Sequence, residues 1–205
     1  MNLTEQDIKN IESAIEAGGD IWNNPKVKDF KDRVKIYYRN LGNEQCCYCK
    51  KNSHGEFKLV LDIEHILPKG QPEFRELMFV LTNLNVACKR CNMNVKGTRT
   101  DFVHDINNAA NNHEDSNQYK FIHPNSDVYF DHIAYIQRIE NDKKLIKYKV
   151  LNNSAKGEYT YKYFRLMELE IDSINQAQGL KQKSEFSEKI DQSIQERLRN
   201  AFKRI

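Results

Sequence analysis

The chain has 205 residues, 30% of them charged and 39% hydrophobic, and a formal net charge of only +3, which by itself points to no partner. The length fits one elaborated domain or two small ones, with a modest core and a strongly polar surface. No run of 18 apolar residues occurs, so no membrane span is expected. The opening Met1-Asn2-Leu3-Thr4-Glu5 lacks the basic and apolar regions of a signal peptide, and the expected location is a reducing cytoplasm. There, paired cysteines are more often metal ligands than disulfides.

The first predicted element is a helix over 4–17. Thr4 suits an N-cap, Asp7 stands at the third helical position, Ile8, Ile11 and Ile15 form an apolar stripe, and Gly18-Gly19 stop it. A second helix is expected after Asn24, with Pro25 at its first position. Val27, Phe30, Val34, Tyr37, Tyr38 and Leu41 mark its buried face and Gly42 ends it. Together these form an N-terminal helical segment, 1–43. A cysteine-rich core follows over 44–105. Within it, 57–63 reads as a strand feeding Glu64-His65, Pro68 and Gly70 break the regularity, and the polar stretch after Cys91 reads as a helix start. The segment 106–205 is expected to be an extension. Its polar, asparagine-rich stretch 106–127 predicts a mobile loop. Alternation over 128–151 about Asn141-Asp142 predicts a β-hairpin, and 158–164 a further strand. From Leu166 the pattern turns helical. Phe186, Ile190, Ile194, Leu198 and Phe202 form a stripe that either packs inside or docks a partner. The expected class is α+β.

Charge is unevenly spread. Seven Lys/Arg face one acid in 143–165, and two bases face six acids in 106–142. This is either a polarised surface or an ordinary solvated strand face. In the basic segment Tyr148, Tyr159, Tyr161, Tyr163 and Phe164 interleave with the lysines. That mixture suits backbone tracking and base stacking on nucleic acid, and equally a strand with one buried aromatic face.

The most specific signal is two Cys-x-x-Cys pairs, Cys46/Cys49 and Cys88/Cys91, separated by 38 residues. Each short turn aims two sulfurs at one ion at tetrahedral angles, so two turns complete a structural zinc site. A redox pair and unmetallated core cysteines are the alternatives. A closed site of this kind folds a domain rather than catalyses. Cys47 is left over inside the first turn, beside Tyr48. The insert between the pairs is too long for a bare loop and carries Asp62-Ile63-Glu64-His65-Ile66-Leu67-Pro68-Lys69. Neighbours on a regular strand point to opposite faces, so Glu64 and His65 serve one site only if the backbone bends. A carboxylate with a carboxamide oxygen suits a hard cation better than Zn²⁺, and a neutral imidazole suits proton abstraction. The plainer alternative is a core histidine beside a glutamate paired with a nearby lysine.

The order Cys-x₂-Cys, Glu-His-Ile-x-Pro-Lys, Asn-Leu and Cys-x₂-Cys-Asn-x₃-Lys-Gly over 46–97 resembles the zinc-containing HNH endonucleases. The chain departs from the name-giving pattern at its third letter, where Asn92 stands in place of His. Within that family it is most similar to the small HNH components of Septu-type and retron-associated bacterial antiphage systems. The resemblance implies a zinc-stapled ββα-metal core with N-terminal helices and a C-terminal hairpin plus helix. It implies zinc on Cys46, Cys49, Cys88 and Cys91. His65 would be the general base that activates water toward a phosphodiester phosphorus. Glu64 and Asn92 would hold one Mg²⁺ or Mn²⁺ at the scissile phosphate, and Asn83 would pin the loop that orients His65. Asp62 is then an outer carboxylate or a salt-bridge partner, Asn85 and Asn94 are rival amide ligands, and His104 is a further one. Lys69, Lys89, Arg90, Lys96 and Arg99 lie around the proposed site as phosphate contacts. The implied substrate is DNA or RNA, transfer RNA included. The implied partner is an ATPase in a hetero-oligomer, since this chain has no Gly-x₄-Gly-Lys-Ser/Thr loop. A non-catalytic zinc module binding nucleic acid or a protein is the competing expectation, and it would need no Glu64, His65 and Asn92 set.

Overall fold

The computed structural model describes residues 1–173. Helix α1 (Glu5–Ala17) opens with a capping box. The Thr4 hydroxyl accepts from the Asp7 N–H, and the Asp7 carboxylate accepts from the Thr4 N–H at 2.8 Å. Its buried residues are Asp7, Ile11 and Ala14, while Ile8 and Ile15 of the expected stripe stay exposed. The helix is turned because Asp7 also takes Arg33 as an ion-pair partner. Gly18 and Gly19 then reverse the chain at φ 68° and 67°, where a side chain would be strained. A 3₁₀ turn (Pro25–Val27) leads into α2 (Lys28–Leu41), which buries Phe30, Val34 and Tyr38 and leaves Leu41 in solvent.

Strand β1 (Leu61–His65) starts later than expected, because Lys58–Val60 forms a 3₁₀ turn. It pairs antiparallel with β2 (Leu84–Cys88), Leu61 opposite Cys88 and His65 opposite Leu84. A π-helical segment (Arg90–Lys96) follows directly, ending at Gly97. The sequence of two paired strands and a helical segment therefore places both cysteine turns at one end of a short hairpin.

The remainder departs further from expectation. The stretch 106–127 is ordered rather than a mobile loop. It holds α3 (Ile106–Asn111) and a 3₁₀ turn (Ser116–Gln118), and it buries Tyr119, Phe121, Ile122 and His123. After α4 (Tyr129–His132), the predicted hairpin is present as β3 (Ile133–Glu140) and β4 (Lys143–Val150), with Glu140 opposite Lys143 across Asn141-Asp142. The expected strand over 158–164 is instead helix α5 (Ala155–Tyr163), capped by the Ser154 hydroxyl on the Gly157 N–H at 2.9 Å. Thr160 and Tyr163 go inward at a spacing of three, which the alternation of tyrosines disguised. Leu166–Leu169 is one 3₁₀ turn, and β5 (Ile171–Asp172) extends the second sheet in the order β3-β4-β5. The stripe from Phe186 to Phe202 lies outside the described residues.

One core joins these parts, running from Phe30 of α2 through both cysteine turns to Leu166. At its centre Tyr48 stacks on Phe164 with ring centroids 4.1 Å apart, and Phe102 stacks on Phe121 at 4.5 Å. Each such pair contributes about 0.5–1.5 kcal/mol beyond its buried area. A smaller cluster of Ile11, Ala14, Ile21 and Val27 seats α1 on the turn before α2.

Candidate functional site

The four paired cysteines meet. Their sulfurs all lie within 4.8 Å of one another, and Cys49 Sγ is 3.8 Å from Cys88 Sγ. A tetrahedral ion with metal–sulfur bonds of about 2.3 Å requires sulfurs about 3.8 Å apart, so the donor set fits zinc in both chemistry and spacing. Cys46, Cys49 and Cys91 are buried and Cys88 is half-buried. Burial pushes the Cys46 thiol up, but hydrogen bonds from the neighbouring cysteines outweigh it and hold the group well below the ordinary thiol value. Cys47 is not one of the four converging sulfurs but touches Cys46, and burial pushes its thiol up.

His65 ends β1 and is 8% exposed. Its Nε2 lies 3.1 Å from the Met78 carbonyl oxygen, and its ring meets the Trp22 indole edge-on with centroids 4.4 Å apart. A ring nitrogen can only donate to a carbonyl, so Nε2 carries the proton and Nδ1 presents its lone pair. Burial, reinforced by the Lys69 charge, lowers the imidazole to about 3, so it is neutral near pH 7. Asn83 bonds the backbone on both sides of the loop, next to Met78 at Leu77 and after His65 at Leu67. The Asn83 Oδ1 accepts from the Leu67 N–H at 2.8 Å, and its Nδ2 donates to the Leu67 and Leu77 carbonyls at 3.1 and 3.2 Å. One buried amide thus closes the loop that reaches from His65 to the carbonyl it touches.

Glu64 points elsewhere. It is fully buried, and its Oε1 is 2.8 Å from the Lys96 ammonium and 3.1 Å from the Tyr48 hydroxyl. Lys96 is itself 2% exposed and also donates to the His65 carbonyl at 2.8 Å. Burial pushes the Glu64 carboxyl up and Lys96 only partly pulls it back. β1 does not bend, so Glu64 and His65 have different side-chain partners, as regular strand geometry requires. Asn92 is half-buried, and its Nδ2 donates to the Ile63 carbonyl at 3.3 Å. A hydrated divalent ion does not fit Glu64 and Asn92 as they lie. Mg²⁺ keeps several waters, whereas this carboxylate is sealed from solvent with an ammonium 2.8 Å away. Its second oxygen, Oε2, is buried with no hydrogen-bond partner among the described residues.

The five basic residues selected from the sequence do not share one surface. Lys96 is a core residue, corrected from a phosphate contact because Glu64 and the His65 carbonyl consume its ammonium. Arg90 is likewise turned away, donating to the Phe164 and Arg165 carbonyls and to Glu168. Arg99 pairs with Asp101 and lies 4.5 Å over the Tyr163 ring. Lys69 lies close enough to His65 to act on its charge. Lys89 binds Asp62 at 2.8 Å, and Lys35 approaches the same carboxylate at 3.8 Å, which makes Asp62 a salt-bridge partner. The rival ligands do not join either site. Asn85 bonds Asn125, Asn94 is exposed, and His104 is exposed beside α3. Sequence reasoning missed Trp22, Lys31 and Lys35. The i,i+4 lysines on the polar face of α2, four residues from the start of the apolar stripe, were the available signal.

No family model, curated protein or solved structure matches the chain. Among the described residues no helix is long and apolar enough to cross a membrane.

Proposed function

We propose that the chain is a phosphodiester hydrolase of the HNH kind, folded around zinc on its four cysteines, with His65 as general base. The observation that carries this is geometric: the His65 ring is fixed by the Met78 carbonyl through Nε2, with Nδ1 left to face water. By the resemblance over 46–97 the chain acts on DNA or RNA with Mg²⁺ or Mn²⁺, as the nuclease of a bacterial antiphage system beside an ATPase.

A second reading, a non-catalytic zinc module, draws on the Glu64–Lys96 pair, which occupies the carboxylate that a nuclease would give to its divalent ion. The two are separated by incubating plasmid and structured RNA with the purified protein and Mg²⁺ or Mn²⁺, with and without a candidate ATPase. Cleavage that depends on the divalent ion and disappears in a folded His65→Ala variant supports the hydrolase. Cleavage retained in full by that variant defeats the assignment of His65, and binding without cleavage under every condition favours the module.

A further inference from the structure

Beside His65 the structure holds a groove that none of the motifs selects. Trp22 lies in the bend between α1 and α2, against the His65 ring on one side and Phe79 at 5.5 Å on another. Next to it opens a groove of about 270 Å³ lined by Trp22, Lys31, Asp32, Lys35, Asp62 and Ile63. Its walls are α2 and β1. The Lys31 ammonium sits 5.1 Å from the indole centroid and donates to the Trp22 carbonyl at 3.1 Å and to Asn23 Oδ1 at 3.2 Å. Lys35 and Lys89 share the single carboxylate of Asp62. Lys69 is close enough to act on both His65 and Lys31. Among the described residues neither Lys31 nor Lys69 has a carboxylate within ion-pair distance, the lysine pairs nearby being Lys28–Asp32, Lys35–Asp62 and Lys89–Asp62. Burial lowers the affinity of Lys31 and Lys35 for their protons, against the opposing pull of Asp20 and Asp32 on the first and of Asp62 on the second. Around the groove the ammonium groups of Lys31, Lys35, Lys69 and Lys89 stand with the carboxylates of Asp20, Asp32 and Asp62, and Asp32 is also taken by Lys28, so positive charge is in excess and a bound polyanion would relieve it.

The geometry points to this groove as the seat of one unpaired nucleic-acid strand, its phosphates held by Lys31, Lys35 and Lys69 and a base lying against Trp22. Lys31 and Lys35 along the α2 wall, with Lys69 nearby, track a backbone, and an aromatic wall takes a base face of any sequence. A duplex keeps its bases stacked inside and offers no such face. The placement rests on the hydrolase reading only in bringing a phosphodiester to His65. Binding itself requires no catalysis.

The chain has one tryptophan, so its intrinsic emission reports this groove directly. The zinc-loaded full chain, without added Mg²⁺ or Mn²⁺, is titrated with a single-stranded oligonucleotide, the same sequence as a duplex, and heparin as a plain polyanion. Trp22 emission should change with the single strand at concentrations where the duplex has little effect. Affinity should fall with salt, and Lys35→Gln and Lys69→Gln should each lower the salt slope by about 1. Equal response to duplex or heparin, or an oligonucleotide that binds without altering the emission and ignores both lysine variants, overturns the proposal. Cleavage without any emission change sinks the groove and leaves the hydrolase standing. An emission change and lysine dependence without cleavage under any divalent ion do the reverse.

Discussion

Glu64 and Lys96 hold opposite charges where water is excluded, and each is tolerable there only because of the other. Glu64→Gln or Lys96→Met alone should lower the free energy of unfolding by about 3–5 kcal/mol, since each strands a buried charge. The double variant should lose far less than the sum, which urea unfolding of all four proteins would measure. A double variant as unstable as the sum would show that the two side chains act independently. His65 and His123 give the acid side of stability. Burial lowers the first to about 3 and the second to about 4. In the unfolded chain both take up a proton near pH 6.5. Their contribution is therefore complete above that pH. It is lost as pH falls from there toward those lower values, at about 1.4 kcal/mol per pH unit for each. A Gln at either position, compared at equal zinc loading, should make the fall between pH 6.5 and 4.5 shallower by one proton. At this scale the ligands were legible in the sequence because Cys-x-x-Cys is a local geometry. The destinations of Lys96 and Arg90 were not, because whether a long side chain turns to solvent or to a buried acceptor depends on what the rest of the chain brings to it.

Among the elements, Gly157 fixes how close α5 comes to the turn after α4. A Cβ there would stand 2.7 Å from the His132 carbonyl oxygen and 3.1 Å from Val150 Cγ1. Gly-to-Ala inside a helix ordinarily stabilises. Here Gly157→Ala should instead destabilise by about 1–3 kcal/mol, read as a lowered Tm. An unchanged or raised Tm would mean that the two segments are free to part. The elements that were legible had end signals within a few residues. Thr4 with Asp7 marks α1, Asn141-Asp142 marks the β3–β4 turn, and Gly97 closes the segment after Cys91. Those misread lacked them. Tyr159, Tyr161 and Tyr163 alternate as a strand would, yet their hydroxyls go to Asp101 and Glu170 around a helix. The stretch 106–127 reads as polar because its asparagines bond one another and Gln118 around α3, while Tyr119 and Phe121 carry its packing.

For the molecule as a whole, the cysteine cluster is tied to the C-terminal half from both turns. The Tyr148 hydroxyl of β4 donates to the Cys49 carbonyl at 2.6 Å, and Arg90, between Cys88 and Cys91, donates to the Phe164 carbonyl at 2.8 Å. Removing the ion with a strong chelator, or replacing Cys88 with Ser, should therefore melt the β1–β2 core and the β3–β4 hairpin together. Circular dichroism and tyrosine emission should follow one transition. A hairpin that persists after the core has unfolded would contradict this coupling. That both cysteine turns belong to one cluster could be read from the sequence. That a tyrosine 99 residues downstream would lean on one of them could not, since nothing local encodes so distant a partner. The tie has a biological edge. With zinc on the cluster, as proposed, a newly made chain would have to acquire the ion before its second half could dock, and scarcity of the metal would leave unfolded chains to proteolysis rather than a pool of sluggish molecules.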